Sequence, residues 1–129
     1  MASSTGSKRI LIADDAASSR DLLRAILESV CYQVDEATNG EQVLEMVFAF
    51  KPDLIILDLQ MPKLNGYETA VALRAMPHVA LTPIVALTAA ATHTWPKRLL
   101  DAGFSAYLVK PIGPARLRDC ISTLVFTPD

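Results

Sequence analysis

Cysteine is scarce in this chain, and an excess of basic charge and long apolar runs are missing from it. Cys31 and Cys120 are its only cysteines, and both fall within apolar patterns of helical spacing. That argues for reduced thiols in or near a core, rather than a disulfide or a metal pair, and reduced thiols suit a cytosol. The 12 basic and 14 acidic residues, a net charge of -2, are spread along the chain and provide no electrostatic footprint for nucleic acid or an anionic membrane. No apolar segment approaches the roughly 20 residues that a membrane-spanning helix needs, and the N-terminus has no secretory apolar core. The expectation is a soluble, cytoplasmic protein without direct nucleic-acid binding, free-standing or cut from something larger. What the chain has in quantity is apolar residue: 129 residues at 51% hydrophobic and 20% charged fit one compact domain with an ample core.

Residues 1–7 are rich in Ser, Gly and Thr with nothing to bury, and read as a flexible leader. The domain is expected over residues 8–126, with a short tail at 127–129. Short apolar runs predict strands at 9–13, 32–37, 54–57, 84–87 and 106–109. Between them the spacing predicts helices. The first, over 17–30, turns Leu22, Leu23, Ile26, Leu27 and Val30 inward; the second, over 41–50, does the same with Val43, Leu44, Val47 and Phe48. A third over 67–75 uses Ala70, Val71 and Leu73. A short fourth is entered through Thr94-Trp95-Pro96, runs to Asp101 and stops at Gly103, and a fifth over 114–124 buries Leu117, Ile121 and Leu124. Asn39-Gly40, Lys51-Pro52-Asp53 and Asn65-Gly66 punctuate the elements. Five strands alternating with five helices require right-handed crossovers, hence an α/β domain with a doubly wound parallel sheet and helices on both faces. Periodicity does not give the strand order; 2-1-3-4-5 would set the first and third strands side by side at a switch point.

Chemistry gathers where these strands end. The run Leu54-Ile55-Ile56-Leu57 delivers Asp58; the first strand delivers Asp14 and Asp15, the fourth Thr88, the fifth Lys110. Each alone is more often a turn or cap residue than a ligand. Together, three clustered carboxylates repel one another unless positive charge sits among them, and Lys110 with a divalent cation supplies it. An oxygen-only donor set selects a hard ion, Mg²⁺ above all. Mg²⁺ on one or two carboxylates, with room for a phosphate, is how phosphoryl-transfer sites are built, and a carboxylate can itself be the nucleophile.

Asp14-Asp15, Asp58 followed by Met61-Pro62 and Gly66, Leu87-Thr88-Ala89, and Tyr107-Leu108-Val109-Lys110-Pro111 together resemble the receiver domain of two-component response regulators. This CheY-like family has a flavodoxin-like fold, and the resemblance runs from residue 9 to residue 124. It implies that Asp58 is the phosphoacceptor, charged by the phosphohistidine of a histidine kinase or histidine phosphotransfer protein. Asp15 would bind Mg²⁺ directly and Asp14 through water, with Asp58 and the Gln60 backbone carbonyl completing the protein ligands and Mn²⁺ as a substitute ion. Lys110 would pair with a phosphoryl oxygen and Thr88 would hydrogen-bond the phosphoryl group. The Lys110–Pro111 bond would be cis. Thr88 and Tyr107 would form the switch that reshapes a surface of the fourth helix, fifth strand and fifth helix for a downstream protein. Such a domain catalyses its own phosphorylation and dephosphorylation while acting mainly as a signalling switch.

Ser105-Ala106 replace the acidic residues that many receivers carry before the switch aromatic, which counts against the charged dimer of the winged-helix transcription class. Trp95-Pro96 shortens the fourth helix, and Trp95 with Phe104 is a candidate apolar partner patch, although local packing is the commoner arrangement. His93, near the active loop, is a candidate for contact with the phosphoryl path, although a solvated loop histidine is the commoner case, and His78 has no evident role. Leu87-Thr88-Ala89 and Lys110-Pro111-Ile112 resemble the wording of hybrid-kinase receivers. Two rival readings stay open: a pseudo-receiver that only binds protein, and an aspartate-nucleophile phosphatase, which would want a second acid where Gln60 stands.

Overall fold

The computed structural model describes residues 8–89 and 97–125; the leader, His93, Thr94-Trp95-Pro96 and the tail at 127–129 lie outside them. Five strands are all parallel: β1 (Arg9–Ala13), β2 (Gln33–Ala37), β3 (Leu54–Asp58), β4 (Ile84–Thr88) and β5 (Ala106–Val109), in the order β2-β1-β3-β4-β5. Five helices alternate with them: α1 (Ala17–Glu28), α2 (Gly40–Phe50), α3 (Gly66–Arg74), α4 (Lys97–Ala102) and α5 (Pro114–Val125), with a 3₁₀ turn at Pro77–Val79.

Successive side chains of a strand point to opposite faces, so the continuous apolar runs feed two cores. Ile10, Ile12, Leu54, Ile56, Val85 and Leu87 pack beneath α1 and α5 against Leu23, Ile26, Leu27, Leu117 and Ile121. Leu11, Ala13, Ile55, Leu57, Ile84 and Ala86 pack on the other face beneath α2, α3 and α4, against Val43, Val47, Ala70, Leu73 and Leu99. Leu54 through Leu57 are fully buried, and burial of each such side chain contributes about 1.5–3 kcal/mol. Local signals set the helix starts. Asn39 caps α2 by accepting from the Gln42 N–H, and Asn65 and Glu68 close a capping box on α3, each cap contributing about 1 kcal/mol.

Several expected inward positions face solvent instead. Phe48 is 69% exposed, and Leu22, Val30 and Val71 are also exposed. A helix on a sheet buries a limited stripe: α2 spends its stripe on Val43 and Val47, α1 on Leu23, Ile26 and Leu27. Phe48 and Leu22, one residue further round, fall off its edge. Helix α1 also ends earlier than the apolar spacing suggests. After Glu28 the chain folds back through Ser29 to Cys31, with the Cys31 N–H donating to the Glu28 carbonyl at 3.0 Å and Cys31 itself at φ 71. Cys31 is therefore an exposed turn residue rather than a core thiol, while Cys120 is half-buried on α5; both are free. Phe104 is buried in the core, where its ring meets Tyr67 edge-on at 6.2 Å; it takes the local-packing role that the sequence favours over a surface patch. Among the described residues, no helix is long and apolar enough to cross a membrane.

Candidate functional site

The sheet register assembles the site. Ala13 lies opposite Leu57, Asp58 opposite Leu87, and Thr88 opposite Val109, so the next residues, Asp14 and Lys110, emerge at the same carboxyl edge as Asp58. Open α/β sheets bind ligands at that edge, at the point where the strand order reverses. Here the reversal falls between β1 and β3.

Lys110 Nζ donates to Asp14 Oδ2 at 2.9 Å and to Asp58 Oδ2 at 2.8 Å. The other oxygens of both acids are held by backbone: Asp14 Oδ1 accepts from the Ala16 N–H at 2.9 Å, and Asp58 Oδ1 from the Gln60 N–H at 3.0 Å. Asp14 is 0% exposed and Asp58 8%, whereas Asp15 is exposed. One carboxylate oxygen from each of the three acids lies within 4.8 Å of the others. The Lys110–Pro111 bond is cis.

Burial pushes the Asp58 carboxyl above its ordinary value, and the negative charge of Asp14 adds to the rise; the bonds from Lys110 and the Gln60 N–H oppose it. Burial alone would lower the Lys110 ammonium, but its bonds to Asp58 and Asp14 outweigh that and hold it above its ordinary value. Lys110 therefore stays charged. One ammonium shared by two of three clustered carboxylates leaves negative charge in excess, which fits a site for a hard cation.

A cleft of about 580 Å³ opens over this edge, lined by Asp15, Asp58, Gln60, Thr88 and Lys110. Tyr107 is not part of it. It sits opposite Ala86 in the sheet, half-buried against the core under α2, α3 and α4. The far wall comes from residues to which the sequence pattern gives no role in the site: Asn65, Tyr67 and Arg98, with the Arg98 guanidinium 3.9 Å from the centre of the Tyr67 ring. Their meeting depends on how α3 packs on α4, which periodicity does not encode. Arg20 of α1 likewise has no place in the sequence-derived site, yet its Nη1 donates to the Asp14 carbonyl at 2.8 Å. Gly66 packs against the Asp58 backbone, where a Cβ would lie 2.5 Å from the Asp58 carbonyl oxygen.

The family model for the response regulator receiver domain matches residues 10–122. The chain belongs to the response regulator receiver family. Among curated relatives, the signal transduction histidine-protein kinase BarA of Escherichia coli is 33% identical over 129 residues, a match covering 93% of this chain and 14% of that kinase. The chain thus spans about one seventh of that relative's length. Among solved structures, the chemotaxis protein CheY4 of Vibrio cholerae is 28% identical with a TM-score of 0.87, covering 92% of this chain and 99% of that one. The receiver domain of a sensor histidine kinase from Pseudomonas aeruginosa, with magnesium coordinated in its active-site cleft, is 29% identical with a TM-score of 0.85, covering 93% and 98%. The chain is a receiver domain of two-component signal transduction, a family that works with histidine kinases and downstream effectors.

Proposed function

We propose that Asp58 accepts a phosphoryl group from the phosphohistidine of a histidine kinase or histidine phosphotransfer protein. The observation that carries this is the Lys110 ammonium held between Asp14 and Asp58 at 2.9 and 2.8 Å. It sets a positive charge between two buried acids beside an open cleft, with a third acid within ligand distance. An Asp58 oxygen attacks phosphorus in line; the O–P bond forms as the P–N bond breaks, and the electron pair leaves with the imidazole. Lys110 then turns from the carboxylates to a phosphoryl oxygen, and the Thr88 hydroxyl donates to another. Attack of water on phosphorus later frees Asp58 and resets the site.

The donor set suits Mg²⁺, with Mn²⁺ as a substitute, because it is all oxygen and drawn from Asp14, Asp15 and Asp58, as octahedral hard cations require. Asp15, Asp58 and the Gln60 carbonyl would hold the ion directly, and Asp14 through water. When bound, the ion neutralises charge on the phosphoryl oxygens. The related Pseudomonas receiver, with magnesium in its cleft, supports the assignment.

Thr88 and Tyr107 are the switch pair in this reading: Thr88 moves onto the phosphoryl group and Tyr107 follows into the space it leaves. The surface of α4, β5 and α5 then changes for a downstream protein. The histidine-bearing partner docks elsewhere, on an apolar groove of about 350 Å³ lined by Leu22, Leu23, Pro111 and Ile112, which opens directly beside Lys110. The site of action is the cytoplasm, and the domain extends over residues 8–126.

Intact mass after incubation with Mg²⁺ and acetyl phosphate tests the reading. One phosphate adduct is expected on the wild type and none on Asp58→Asn. No adduct on the wild type, and no binding of beryllofluoride, would refute it, whereas steady turnover of phosphomonoesters would point to a hydrolase.

A further inference from the structure

We propose that Arg20 is a positioning residue that sets the divalent-cation affinity of the carboxylate cluster, by clamping the peptide between Asp14 and Asp15. The inference rests on the reading of the cluster as a cation site. Among the described residues, the Asp15 side chain makes no hydrogen bond or ion pair, so its direction is set by its backbone. That backbone is held from two sides. The Asp14 N–H donates to the Ala37 carbonyl at 3.2 Å, and the Asp14 carbonyl, which belongs to the peptide leading into Asp15, accepts from Arg20 Nη1 at 2.8 Å.

Arg20 is itself immobilised. Its Nε donates to Glu36 Oε1 at 3.0 Å, its side chain is only 16% exposed, and the other Glu36 oxygen is taken by Arg24 Nε. The planar guanidinium thus ties α1 to β2 with one nitrogen and to the loop after β1 with another. Such a fork is pre-organised in a way that a lysine ammonium is not. Among the described residues it makes no hydrogen bond or ion pair to a carboxylate of the cluster, and it reaches the cluster through the Asp14 carbonyl.

Charge and positioning make opposite predictions here, which gives the test its force. Arg20 is a positive charge close to an anionic site, so its removal should tighten a divalent cation by Coulomb's law alone. Loss of the clamp should instead weaken it, and groups that orient metal ligands typically contribute 10–100-fold in affinity.

Calorimetric titration of the cation-free protein with Mg²⁺, repeated with Mn²⁺ by electron paramagnetic resonance, reads the affinity without any phosphoryl transfer. Arg20→Met is expected to raise Kd about tenfold, against the electrostatic sign. Arg20→Lys, which keeps the charge and loses the fork, is expected to raise it as well. Arg24→Lys perturbs the same Glu36 without reaching Asp14, and is expected to lower thermal stability while leaving Kd unchanged. An unchanged Kd in Arg20→Lys, or tighter binding in Arg20→Met, would overturn the clamp while leaving the cation site standing. Absence of Mg²⁺ binding by the wild type would overturn the cation reading, and the clamp with it.

Discussion

Lys110 Nζ and Asp14 Oδ2 meet at 2.9 Å across a separation of 96 residues. The contact joins the end of β5 to the end of β1, past the intervening strands β3 and β4. A fully buried carboxylate is costly without a partner, and removing one member of a buried pair leaves the other uncompensated. Lys110→Met keeps the aliphatic stem and removes the ammonium from both Asp14 and Asp58. Chemical denaturation at neutral pH should show a loss of about 2 kcal/mol relative to the wild type, and phosphorylation by acetyl phosphate should fall below detection.

Asp15 behaves in the opposite sense. It is exposed, yet it brings a third negative charge within 4.8 Å of Asp14 and Asp58. Asp15→Asn relieves like-charge repulsion and disturbs no hydrogen bond among the described residues. In the presence of a chelator it should raise stability, by about 0.5–1 kcal/mol for a solvent-screened interaction. With Mg²⁺ added, the wild type should gain stability through binding and the variant should not. Thermal melts with and without Mg²⁺ give both comparisons.

Much of this site is legible in the sequence, because Asp14, Asp15, Asp58, Thr88 and Lys110 each follow an apolar run and a parallel sheet has only one carboxyl edge. The fold is legible for the same reason: Leu54 to Leu57 form a strand buried on both faces, and such a strand needs helices on each side. The misreadings have a common cause in spacing. Periodicity shows that α1 and α2 have apolar sides, but the sheet decides how wide a stripe it covers, so Leu22 and Phe48 passed for core residues. Cys31 passed for a helical residue because its turn is a matter of backbone conformation, at φ 71. Arg20 acts through the carbonyl of Asp14, a contact that side-chain patterns do not announce.

Glu36 gives a pH signature. Its bond from Arg24 holds its carboxyl below the ordinary glutamate value of 4.5; burial opposes the shift and the bond from Arg20 reinforces it. A group whose pKa is lower folded than unfolded stabilises the fold above the unfolded value and loses that contribution as pH falls through the folded one. The difference in stability between the wild type and Glu36→Gln should therefore be largest and constant near neutrality, on the order of 1 kcal/mol for a half-buried ion pair. It should shrink once the pH drops below 4.5 and vanish when Glu36 is protonated in the folded state. Denaturant titrations at a series of pH values measure the difference directly.

Gly66 is the backbone position on which the Asp58 geometry depends. A Cβ there would lie 2.5 Å from the Asp58 carbonyl oxygen and 2.8 Å from the Leu59 Cα, both main-chain atoms that no side-chain rotation can move aside. The same residue donates its N–H to the Leu59 carbonyl at 3.1 Å, so α3 cannot back away without losing a bond at its first turn. Gly66→Ala must then displace the peptide after Asp58, which also leads toward the Gln60 N–H that orients the Asp58 carboxylate. Overpacking of this kind costs about 1–3 kcal/mol, and phosphorylation should slow more than stability alone explains, because the nucleophile is tilted. Gly113→Ala is the matched control: nothing lies within 4 Å of a Cβ there, and because reduced unfolded-state freedom is offset by alanine's poorer capping of α5, stability should change by less than about 1 kcal/mol and phosphorylation should keep the wild-type rate. If Gly66→Ala melts with the wild type and accepts phosphate at the wild-type rate, the close approach of α3 to the Asp58 carbonyl is not what holds the nucleophile in place.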